Sequence, residues 1–293
     1  MKLIGIMPAR NEDWILGLSA RAALMWCDEL VILNHASDDE TPRIINDLHD
    51  EHPERVTSLN IWEPVWAEMA HRQRLLDIAR TRGATHIAIV DADEVLSGNL
   101  LQSIRPWING LTEGRLLQLP WACLSGIDRY YSEGVWGTNW VTMAFHDIPS
   151  YGWQARGEEK YDFHHRHPVG SVHYNNTRQC SQGAGGLMHL QFSSRRRLRA
   201  KQALYKITEV LRWSGRRSVA DVDEMYNLAV YDSDPLKTRT EPVPIDWWAP
   251  YAGLLMYLDV EREPWQEAEV RKAIAAFGRE RFAGLDLFGV DAE

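Results

Sequence analysis

Three carboxylates, Asp91, Asp93 and Glu94, end the apolar run Ile87-Ala88-Ile89-Val90. A buried strand that stops on clustered negative charge calls for a positive group there, because uncompensated carboxylates repel one another and resist desolvation. Asp91 and Asp93, one residue apart, can turn hard oxygens toward one side, where Mg²⁺ or Mn²⁺ would bridge them to a substrate diphosphate. On these residues alone, a solvated acidic turn is the alternative. A second group, His164, His165, His167 and His173, invites a zinc reading. Adjacent residues rarely ligate one ion together, however, and no HExxH spacing is present. A third group is basic: Arg195, Arg196, Arg197, Arg199 and Lys201, then Arg212, Arg216 and Arg217. Such a run is either a solvated helix face or an anion site.

The elements that must position these groups come from a chain of 293 residues, 45% hydrophobic and 25% charged, which describes an ordinary folded globule able to bury a large core. A net charge of -9 disfavours broad attraction to nucleic acid or anionic membrane, although a local basic patch could act against it. Three widely spaced cysteines, Cys27, Cys123 and Cys180, form neither a disulfide framework nor a CxxC knuckle and fit a reducing compartment. The opening MKLIGIMPARNED is too short an apolar run for a signal peptide, and no stretch reaches the roughly 18 apolar residues of a membrane span. The expectation is a cytoplasmic protein.

Apolar periodicity predicts strands at 2–8, 29–33, 56–61 and 84–90, with helices at 11–25, 42–51 and 66–82 between them. Strands alternating with helices of this length imply right-handed crossovers and a mainly parallel, doubly wound sheet, whose ligands collect at the strands' carboxyl ends. Residues 8–12, 34–41 and 91–94 all fall at such ends and should converge on one crevice. From 115 to 191 the pattern is irregular, with a strand at 116–123 and many Gly, Trp, Tyr and His residues suited to an acceptor pocket built on loops. Helices follow at 198–213, 219–230 and 265–277. Thirteen tryptophans are mostly packing residues, with a few available to stack on sugar rings.

The motifs resemble those of the GT-A nucleotide-sugar glycosyltransferases, specifically the large second family of inverting enzymes. Met7-Pro8-Ala9-Arg10-Asn11-Glu12 is similar to that family's first-strand signature. Leu33-Asn34-His35-Ala36-Ser37-Asp38-Asp39-Glu40-Thr41 is similar to its second-strand turn, and Asp91-Ala92-Asp93-Glu94 to its DXD element. The resemblance spans residues 3–95. It departs at Asn34, where the family usually has an Asp, and an amide offers a donor as well as an acceptor to the base. The resemblance implies an α/β, Rossmann-like GT-A fold: a mainly parallel mixed sheet flanked by helices, with a helical C-terminal portion. It implies a catalytic domain over 1–193, divided into a nucleotide-sugar half (1–95) and an acceptor half (96–193). Residues 194–293 would form the helical portion packed on it.

The same resemblance implies roles. Pro8, Ala9, Arg10 and Glu12 would line the nucleotide, with Asn34 and Asp39 nearby. Arg72, with Arg74 as alternative, would reach the donor. Asp91 would lie near the ribose or a metal-bound water, and Asp93 would ligate Mn²⁺ or Mg²⁺, with His189 completing the metal shell. Arg196 or Lys201 could neutralise the departing diphosphate. The general base would come from Asp128, Glu158, Glu159 or Asp162, with Asp162 favoured and Glu159 second. A histidine remains open, because the Glu that relatives carry after the counterpart of His165 is absent. The implied activity is inverting, metal-dependent transfer of a sugar from a nucleoside-diphosphate sugar, a UDP-sugar first, to a glycan or other hydroxyl acceptor. Alternatives are a nucleic-acid acceptor, a non-catalytic carbohydrate-binding protein, or a nucleotidyltransferase. The glycine-free Pro8-Ala9-Arg10-Asn11-Glu12 argues against the last.

Overall fold

The structure is a computed structural model that describes residues 1–153, 166–169 and 176–291. In chain order it begins with β1 (Leu3–Ala9), α1 (Leu16–Leu24), β2 (Glu29–His35), α2 (Thr41–Glu51), β3 (Val56–Ile61), α3 (Glu68–Thr81) and β4 (His86–Ile89). It continues with β5 (Glu94–Leu96), α4 (Leu101–Asn109), β6 (Leu116–Ser125), β7 (Arg129–Tyr131), α5 (Gly134–Gly137), β8 (Trp140–His146), β9 (Asn176–Arg178) and β10 (Leu187–His189). The last elements are α6 (Arg195–Arg212), α7 (Val219–Tyr231), β11 (Thr240–Pro242), α8 (Ile245–Trp248) and α9 (Trp265–Phe277). The chain divides into two compact units, Met1–Trp121 with Asn139–Met188 and Pro244–Asp259, and Ala122–Thr138 with His189–Val243 and Val260–Glu293.

In the first unit β4, β1, β2 and β3 lie side by side and parallel. Every residue of β1 and β2 is buried, which is why both read as unbroken apolar runs: helices cover both faces of a parallel sheet. Leu30 and Ile32 of β2 pack with α1, α2 and α4, whereas Val31 and Leu33 pack with Met69, Leu75, Leu76 and Ala79 of α3. The crossovers α1 and α3 therefore leave β1 and enter β4 on opposite faces. The winding reverses between those two strands, and in sheets of this kind ligands collect at the carboxyl ends beside such a switch point. β8 continues the sheet antiparallel to β4 and to Leu116–Pro120 of β6. Pro8 is tolerated in a central strand because β4 pairs only with Leu3–Ile6 of β1, so the missing N–H falls beyond that ladder.

The second unit is mainly helical. α6 packs on α7 and α9 around Ala200, Ala203, Ile207, Val222, Tyr226, Val270 and Phe282. Ser218 and Asp221 form a capping box at the start of α7. The fully buried Lys206 ammonium donates to Asp223 Oδ1 at 2.7 Å, Asn227 Oδ1 at 2.7 Å and the Asp286 carbonyl at 2.6 Å, so its charge is compensated. Leu124–Ser125 of β6, β7 and β11 form an antiparallel meander. No helix among the described residues is long and apolar enough to cross a membrane.

Candidate active site

The loops after β1 and β2 are stitched to each other. Asn11 takes a left-handed conformation (φ 52°), which asparagine adopts more readily than most residues. Its side chain donates to Asp38 Oδ1 at 2.7 Å and accepts from the Asp38 N–H at 2.9 Å. Its backbone N–H donates to Ser37 Oγ at 3.0 Å, and that of Glu12 to Thr41 Oγ1 at 2.8 Å. Asp39 accepts from the backbone N–H groups of Thr41 (2.8 Å) and Asp13 (3.1 Å), so it fixes the start of α2 and the neighbouring loop. Glu12 accepts from the Trp14 indole at 2.7 Å, and Arg10 donates to the Pro64 carbonyl at 2.9 Å. Pro8 and Ala9 are buried at the carboxyl end of β1.

At the end of β2 the buried Asn34 donates through Nδ2 to Asn60 Oδ1 (2.9 Å), and its Oδ1 has no partner among the described residues. A buried acceptor without a partner carries a desolvation cost of about 1–3 kcal/mol, which a ligand N–H would remove. The adjacent His35 packs against Trp66 and His71 on the α3 face. Burial first, then Arg10, hold its imidazole pKa at about 4, so the ring is neutral at physiological pH.

The acidic end of β4 is a chain of alternating charges. Arg72, on α3 and buried, donates through Nε to Glu68 (2.8 Å) and through Nη2 to both oxygens of Asp91 (2.9 and 3.3 Å). Arg166 Nη1 donates to Asp91 Oδ2 and to the Glu94 carboxylate, each at 2.8 Å. Glu94 also accepts from the Trp121 indole at 2.8 Å and from the Asp91 N–H at 3.2 Å. Burial pushes the Asp91 carboxyl up, but Arg72 and Arg166 outweigh both burial and the charge of Asp93 and hold it below the usual carboxylate range. Burial works against the Arg72 charge as well, and Asp91 and Glu68 more than reverse this, so the guanidinium stays protonated. Arg72 Nη1 is buried and has no partner among the described residues.

Eight of the predicted residues therefore gather at the carboxyl edge of one sheet: Pro8, Ala9, Arg10, Glu12, Asn34, Asp39, Arg72 and Asp91. Asp93 is buried beside them. Between the two arginine candidates on α3, Arg72 turns inward and Arg74 is exposed. The remaining candidates fall in the second unit or outside the described residues. Arg196 forms a forked pair with Glu267 (2.7 Å to each oxygen) within the second unit, and Lys201 stands on the same helix, α6. His189 is buried in that unit, with Nδ1 3.9 Å from Cys123 Sγ. The favoured bases Asp162 and Glu159 lie outside the described residues. Arg166 was not singled out by sequence reasoning. Its one signal was the charge count, since three clustered carboxylates need cations, but nothing local marks this arginine among its histidine neighbours.

Among the described residues no group of three or more His, Cys, Asp or Glu side chains is placed to hold a metal ion. A divalent cation bound through Asp93 would draw most of its oxygen shell from substrate phosphates and water, which is the usual habit of Mg²⁺.

No protein-family profile matches the sequence, and no curated protein matches it. Solved structures do match. TarS of S. aureus, residues 1–349, is 11% identical with a TM-score of 0.45, over 100% of this chain and 90% of that one. The same TarS fragment in complex with UDP-GlcNAc is 12% identical with a TM-score of 0.40, over 100% and 91%. Glucosyl-3-phosphoglycerate synthase from Mycobacterium tuberculosis, in complex with Mn²⁺, UDP and phosphoglyceric acid, is 18% identical with a TM-score of 0.28, over 43% and 44%. Matches at this level establish neither family nor activity, and the α/β fold rests on the strand order above. In its strand-end residues the chain resembles the GT-A nucleotide-sugar glycosyltransferases.

Proposed function

We propose that this protein transfers a sugar from a nucleoside-diphosphate sugar, a uridine donor first, to a hydroxyl acceptor, with inversion at the anomeric carbon. The observation that carries this reading is Arg72: a buried, permanently charged guanidinium, oriented by Glu68 and Asp91 at the sheet's ligand edge, with one N–H group unspent. A buried cationic donor held in place by two carboxylates is suited to an anionic ligand, because its orientation costs nothing further when charge arrives. Asn34 Oδ1 supplies an acceptor for a base N–H, and Asp91 a carboxylate for a ribose hydroxyl. Bound through Asp93 and the diphosphate, a divalent cation would supply further neutralisation of the leaving group.

The test is a thermal-shift and calorimetric panel of nucleotides and nucleotide sugars, with Mn²⁺ or Mg²⁺ present. A nucleoside-diphosphate donor is expected to stabilise the fold. Arg72→Lys, which keeps the charge but removes the forked geometry, should weaken that binding by about tenfold or more. If no nucleotide donor binds, or the Lys variant binds as tightly as the parent, the reading fails.

A further inference from the structure

The β4–β8 ladder opens where the acidic cluster begins. Its last paired residues are Ala88 and Ala144, so Ile89 on β4 and Thr142 on β8 lie beyond the paired stretch of that ladder. Arg166 fills this split. Its Nε donates to the Thr142 carbonyl at 2.8 Å and its Nη2 to the Ile89 carbonyl at 3.0 Å, while Nη1 spans Asp91 and Glu94 at 2.8 Å each. The guanidinium is thus tied to two backbone carbonyls and two carboxylates, with its side chain only 13% exposed. All of these groups belong to the first unit. A cation that displaced Arg166 from the carboxylates would also remove a donor from two backbone carbonyls and strand a buried guanidinium, and each of these costs free energy.

We propose that Arg166 is the chain's own counter-cation for this acidic strand end, a positioning residue that withholds Asp91 and Glu94 from any divalent shell. A divalent cation then enters only when a nucleotide brings its phosphates. The coupling to a nucleotide rests on the function proposed above, but the withholding of the carboxylates does not. Loss of Arg166 should convert the strand end into a site that takes Mn²⁺ without nucleotide, because Glu94 and Asp91 lose the cation they share, Asp91 then keeping Arg72 alone.

The experiment follows free Mn²⁺ by electron paramagnetic resonance as the full-length chain is titrated with Mn²⁺ alone, for the parent, Arg166→Gln and Arg166→Lys. The Gln variant is expected to bind Mn²⁺ about tenfold or more tightly than the parent. The Lys variant, which keeps the charge, should stay close to the parent. A purely structural arginine would not produce a gain of metal affinity that lysine suppresses. Equal affinity of the parent and Gln variant overturns the proposal. Should the Gln variant fail to fold, the parent and the Lys variant still decide it: nucleotide-free Mn²⁺ binding by both at micromolar concentrations overturns it, and none at that level supports it. Because no nucleotide is present, failure of the donor reading leaves this outcome readable, and failure here leaves donor binding to be judged on its own panel.

Discussion

At the scale of single residues, the site is a sequence of opposite charges, Glu68, Arg72, Asp91, Arg166 and Glu94, each within hydrogen-bond reach of the next. Arrangements of this kind are worth little when compared with an apolar replacement of the whole set, yet removal of one member is expensive. Arg72→Met removes the cation shared by the buried Glu68 and the half-buried Asp91, and leaves Asp91 with Arg166 alone. We expect it to destabilise the fold by about 3–5 kcal/mol in urea titrations at neutral pH. A loss below about 1 kcal/mol would show that water reaches these carboxylates readily. Asp91 could be found in the sequence because a strand that stops on charge is anomalous. Arg166 could not, because a partner 75 residues away leaves no local trace.

At the scale of elements, the strand-end loops owe their shape to side chains that were read as ligand contacts. Both Asp39 oxygens accept backbone N–H groups, one at the start of α2 and one in the loop after β1. Asp39→Ala removes this cap-like support and should cost about 1–2 kcal/mol of stability. With nucleotide affinity measured beside it, a loss of affinity without loss of stability would support a direct contact of Asp39 with the nucleotide. The buried strands and amphipathic helices were legible because their periods are strong: β3 spans the predicted 56–61, and α9 the predicted 265–277. α1 starts at Leu16 and not at residue 11, because Asn11 sits in a left-handed turn stitched to Ser37 and Asp38. β5, β7 and β10, with three residues each, are too short to carry a period at all. α4 escaped notice for another reason, since Pro106 interrupts its helical pattern.

At the scale of the whole molecule, acid stability is set by groups that fold in an uncharged or strongly paired form. His35 and His86 are both held at a pKa of about 4, chiefly by burial, aided by Arg10 in the first case and His146 in the second. In the unfolded chain each would titrate near 6.5. Between about pH 6.5 and 4 the unfolded state therefore binds more protons than the folded one, and stability falls as the pH drops through that window. Asp91 adds a loss in the same direction at lower pH, because its folded pKa is depressed and protonation abolishes its ion pairs. The urea midpoint should thus decline from pH 7 to pH 4.5, before most carboxylates titrate. The double variant His35→Phe/His86→Phe should lose much of that slope while remaining less stable overall, since Phe cannot form the hydrogen bonds that the two rings make to the Glu63 carbonyl and the Thr85 hydroxyl. A parent protein whose midpoint stays flat over this range would mean that both rings charge as easily in the folded state as in the unfolded one. That would require water at the ends of β2 and β4, where the structure packs both rings among buried neighbours.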